Sequence, residues 1–170
     1  MPSTLLKNII EEQGCLSAVF DSTLFKKPIP VHGIESEVSL TYMERCAQAF
    51  NTLSPAVLQQ LYQCSYDYYI DCCEWSDEVL PTIERPEDIL QYLSPLSMQV
   101  PAFPAEYNAE TAAPIIHLHM DCDWEIEHGM GWLIRGEDIL YVSSCDGLPE
   151  WKDEEYYRNL EGNFAFGNTL

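Results

Sequence analysis

His117, His119, Asp121, Asp123, Glu125 and Glu127 occupy successive odd positions of one short stretch. Two imidazoles and a carboxylate are what a zinc or iron site with open positions requires, so His117, His119 and Asp121 are the candidate metal ligands. Neighbouring carboxylates, Asp121 with Asp123 or Glu125 with Glu127, could share a proton and work as an acid/base pair. Geometry bounds both ideas. Side chains on one face of a strand lie roughly 6.5–7 Å apart, so neighbours must converge to share an ion, and residues four apart generally cannot. A third ligand would have to come from elsewhere, and His32 and His128 are the only other histidines. With 28 acidic residues in the chain, adjacent carboxylates are also expected by chance. The favoured reading therefore assigns no metal and no cofactor.

Other chemistries find less. There is no G-x-S-x-G, and no Ser or Cys stands in a recognisable setting with a histidine. Gly129, Gly131 and Gly136 open strands rather than helices, so no phosphate loop is expected.

The ionisable residues need an element to hold them in line. Ile116, Leu118, Met120, Cys122, Trp124 and Ile126 take the even positions, and a period of two predicts a strand with one apolar and one polar face. Residues 127–131 read as a turn or bulge in which Gly129 and Gly131 supply positive φ. Glu127 and His128 either hold that turn by hydrogen bonds or belong to a binding surface. Residues 132–135 return, Gly136-Glu137-Asp138 turns again, and residues 139–143 complete a meander.

Upstream, residues 15–32 read as two short strands around a turn near Asp21-Ser22, with Pro28 and Pro30 marking an edge strand. The N-terminal fourteen residues read as a short helix. Thr41 with Glu44 makes a capping box, and Met43, Cys46, Ala47 and Phe50 recur at helical spacing. Ser54-Pro55 opens a second helix reaching about Trp75, with Val57, Leu58, Leu61, Ser65, Tyr68 and Cys72 inward. Pro86-Glu87-Asp88 starts a short helix, residues 96–103 read as a strand, and residues 150–159 as a last helix. The expected fold is α+β: an antiparallel sheet, N-terminal hairpin plus C-terminal meander, with two or three helices packed on one face. A single domain spans residues 1–170.

Eight Lys and Arg oppose 28 Asp and Glu, a formal net charge of −20. Such a surface repels nucleic acid and anionic membrane and draws in basic partners. No apolar run is of membrane-spanning length, and the opening residues do not read as a signal peptide. Seven cysteines without a CxxC spacing read as reduced, buried thiols, which fits a cytoplasmic protein. Asp121, Asp123, Glu125 and Glu127 then form a candidate partner-binding stripe, with Trp132 and Trp151 as aromatic anchors.

The run from Cys122 to Gly131, C-D-W-x-x-E-H-G-x-G, resembles the signature of an uncharacterised family of small bacterial α+β domains. The similarity extends to a short N-terminal hairpin and to a helix pair whose second member is rich in tyrosine near its end, here Tyr66, Tyr68 and Tyr69. It covers about two-thirds of the chain. The resemblance implies a binding role in toxin-immunity neighbourhoods and carries over no catalytic residue. The His117-Leu118-His119 run and the acidic tail depart from the pattern. The expected function is non-enzymatic: an acidic cytoplasmic immunity-type inhibitor that occludes a basic toxin domain, for example a nuclease. The alternative is a metal-dependent enzyme or metal-binding domain on the His117/His119/Asp121 face.

Overall fold

Strands with one apolar face need a layer to cover it, and this chain builds one long sheet under two helices. The computed structural model describes residues 5–170. Seven strands lie in chain order: β1 (Lys7–Glu12), β2 (Cys15–Ser22), β3 (Lys27–Gly33), β4 (Leu93–Val100), β5 (Ile115–Cys122), β6 (Glu125–Arg135) and β7 (Asp138–Ser143). All neighbours are antiparallel except β3 and β4, where Val31 lies opposite Met98 in a parallel register. A parallel pair needs a crossover. Here α1 (Leu40–Asn51), α2 (Pro55–Trp75) and a 3-10 turn at Pro86–Tyr92 provide it. The α+β class and the closing β5–β6–β7 meander stand as expected, but the sheet is larger than a hairpin plus a meander.

Several local expectations are corrected. Residues 7–12 are a strand, not a helix, paired to β2 around Gln13 and Gly14. Both have positive φ (53° and 82°), the twist a two-residue hairpin prefers. The rest of the expected helix, residues 1–4, lies outside the described residues. β3 is internal, not an edge; its pairing with β4 begins only at Val31, so Pro28 and Pro30 lie ahead of the parallel ladder. Ser39 caps α1, accepting the Tyr42 N–H, while Glu44 accepts the N–H of Leu5 instead of closing a box with Thr41.

Tyr42, Met43, Cys46, Ala47 and Phe50 of α1, with Leu61, Tyr68 and Cys72 of α2, cover one face of the sheet. They meet Phe20, Ile29, Val31, Met98, Leu118, Trp132 and Val142. Trp132 is wholly buried there, and its indole N–H donates to Ser65 Oγ at 2.9 Å. It belongs to the core and is no surface anchor, because exposing so large a side chain would give up about 3 kcal/mol.

The other face is covered only in part. Residues 144–153 and α3 (Glu154–Arg158) lie across β5–β7, packing Leu148, Trp151 and Tyr157 onto Ile115, Leu133 and Tyr141. Arg135 fastens this strap, donating to the backbone carbonyls of Glu150 and Lys152. Trp151 is therefore a packing residue beneath which the Arg135 guanidinium sits.

Candidate functional site

The acidic stretch does not run on as one strand. The chain reverses at Asp123 and Trp124, with Cys122 opposite Glu125. Neither turn residue takes positive φ, and such unprimed two-residue turns splay their strands. The pairing recovers only at Met130 opposite Met120, after an irregular segment that ends in Gly129 at φ +66°. Trp124 folds inward, edge-on to Tyr68 and Tyr69 of α2, and the Asp123 N–H donates to Tyr92 O, so the hairpin tip is pinned to the helical layer.

This tip separates the acidic residues by role. Asp121, Asp123 and Glu127 are exposed. Glu125 is half-buried and its carboxylate is spent locally: it accepts the backbone N–H of Glu127 at 3.0 Å and of His128 at 2.8 Å, and lies 3.1 Å from His128 Nδ1. Glu125 thus shapes the tip, and His128 is held by it.

Beside the tip lies a groove of about 400 Å³ that the acidic pattern alone did not reveal. Its apolar lining comes from Trp75 at the end of α2, from Val79 and Leu80 in the following loop, and from Ile126 and Leu170. Ile126 is 79% exposed and Trp75 73% exposed, unusual for side chains of this kind. Asp123, Glu125, Glu127 and Glu78 share the lining, and among the described residues no Lys or Arg does. Cys72, at its inner edge, has its thiol pushed up to about 11, chiefly by burial, so it carries no thiolate near neutral pH.

The histidines face the opposite side of the sheet. His117 and His119 touch edge to face with ring centroids 4.6 Å apart. Their carboxylate neighbour is Glu150, not Asp121: Glu150 Oε1 lies 2.9 Å from His117 Nδ1, and both side chains are nearly inaccessible to water. Burial, and after it the adjacent His117, holds the His119 pKa down to about 4, against the opposing pull of Glu150. Among the described residues, no group of three His, Cys, Asp or Glu is arranged to hold a metal ion. A second groove of about 470 Å³ opens here, between Ile34 and Gln99 on one side and residues 147–150 on the other.

The sequence model of a family described as a domain of unknown function, DUF6985, matches residues 9–149. The chain belongs to the DUF6985 family. No curated protein and no solved structure matches it. The DUF6985 match takes in nearly the whole sheet, α1, α2 and the hairpin tip, and it stops one residue short of Glu150. Among the described residues, no helix is long and apolar enough to cross a membrane.

Of the residues selected from the sequence, Asp123, Glu125 and Glu127 line a groove and Asp121 and Trp132 do not, while Trp75, Val79, Ile126 and Glu150 were missed. Ile126 carried the one available signal: an apolar residue inside the most acidic hairpin of the chain.

Proposed function

We propose that this protein is a non-enzymatic binding protein that takes a basic protein segment into the groove beside the β5–β6 tip. The observation that carries the reading is the exposed Trp75 and Ile126 pair rimmed by Asp123, Glu127 and Glu78. Exposed apolar side chains ringed by charges of one sign fit a partner with an apolar anchor flanked by Lys or Arg. The net charge of −20 supports fast, salt-sensitive encounter with such a partner.

The use we favour is immunity-type inhibition of a basic toxin domain such as a nuclease, in the cytoplasm, where the seven free thiols stay reduced. Inhibition would work by occlusion, with acidic side chains standing where phosphates would otherwise meet the partner's Lys and Arg. The metal-enzyme alternative gains nothing from the positions of its residues, since Asp121 is exposed and His117 is bonded to Glu150.

The test is affinity purification from the native host, followed by calorimetry with the purified partner. A basic partner is expected whose affinity falls with added salt and drops at least tenfold in Trp75→Ser and in Asp123→Lys/Glu127→Lys. An acidic partner, or one that binds both variants as tightly as the parent chain, overturns the reading.

A further inference from the structure

The groove on the histidine face is chemically unlike the one at the hairpin tip, and its floor is rich in acceptors. Glu150 Oε1 lies 2.9 Å from His117 Nδ1, and the carboxyl group has a second oxygen to offer. Gln99 donates one of its two amide hydrogens to Ser97 Oγ at 3.0 Å, and its carbonyl oxygen is an acceptor. His119 Nε2 is buried without a hydrogen-bond partner. Burial and the ring contact with His117 keep the His119 imidazole uncharged near neutral pH. Among the described residues, no Lys or Arg lines the groove, and the Arg135 guanidinium meets the Glu150 backbone carbonyl and not its carboxylate. Ile34, Leu148 and Pro149 form apolar walls.

We infer that this groove binds a small alkylammonium ion, with the ammonium group toward Glu150 and the alkyl body between Ile34 and Leu148. A cation is favoured over a neutral donor because the Glu150 carboxylate supplies charge as well as acceptor oxygens. An anion is disfavoured by the same carboxylate and by the field of a chain of net charge −20. The inference does not depend on the proposed partner groove, which lies on the other face of the sheet.

The test is an NMR titration of the full chain with n-butylammonium at physiological salt, read on the imidazole signals of His117 and His119. The neutral twin is 1-butanol. A ligand of this size is expected to bind in roughly the millimolar range. Butylammonium should shift both rings, with butanol weaker by roughly tenfold or more. Glu150→Gln keeps an acceptor for His117 but removes the charge, and should lose a similar factor. Ile34→Trp, at an exposed position of the groove wall, should block the site by bulk. Equal binding of the alcohol, silence of both rings, or a response that survives both substitutions overturns the inference.

Discussion

Glu150 reaches from the C-terminal strap to His117 in the middle of the sheet, its Oε1 2.9 Å from the imidazole Nδ1. Both side chains are nearly sealed from water, so the bond fixes the ring and pins the strap over the sheet at once. Removing one member of a buried pair leaves the other without a partner. Glu150→Ala is expected to destabilise the fold by about 3 kcal/mol, and Glu150→Gln by less than half of that. Denaturant midpoints at unchanged m-value measure the difference.

His119 predicts a pH dependence with a definite sign. Its folded-state pKa is held at about 4, below the ordinary 6.5. The unfolded chain takes up that proton first as pH falls, so stability drops between about pH 6.5 and 4 and levels off below. Because the ring is only partly buried, the loss is roughly 1–3 kcal/mol. Thermal melts across that window should show a steep decline in the parent chain and a shallower one in His119→Gln.

Gly129 and Gly136 share nearly the same backbone conformation, φ +66° and +65°, in very different surroundings. A Cβ at Gly129 would lie 2.3 Å from the Met120 carbonyl oxygen, whereas one at Gly136 meets nothing within 4 Å. Gly136→Ala should lose only the left-handed backbone term, about 1 kcal/mol. Gly129→Ala must also displace a strand and should lose about 3 kcal/mol. Chemical denaturation of the two variants side by side checks the gap.

Asn163 acts as a piece of strand. Its Oδ1 accepts the Val142 N–H at 3.2 Å, and its Nδ2 donates to the carbonyls of Leu140 at 2.8 Å and Tyr157 at 2.9 Å. Asn163→Ala strands three buried backbone groups and is expected to lose about 2–3 kcal/mol. Hydrogen exchange at the Val142 amide should speed up accordingly.

The regular elements were legible because periodicity is local. The α1 stripe, the Ser54-Pro55 start of α2 and the alternation through β5 all follow from side-chain spacing within one element. What depends on chain reversal or on distant partners was not. Alternation ran unbroken through Asp123 and Trp124, so nothing in the period marked the turn there. Residues 7–12 carry too little pattern to choose strand over helix; pairing with β2 decides it. The bond between Glu150 and His117 joins residues 33 apart, which no spacing rule reaches.

One consequence concerns growth of the sheet. On the β7 side, Asn163 occupies backbone positions that another strand would need. On the β1 side, Ile9 and Ile10 are exposed, beside Lys7 and an irregular pairing at Asn8. Among the described residues, strand addition between copies of this chain thus has one margin to use, and joining two such margins consumes both. Any association of that kind ends at a pair and cannot propagate into a fibre.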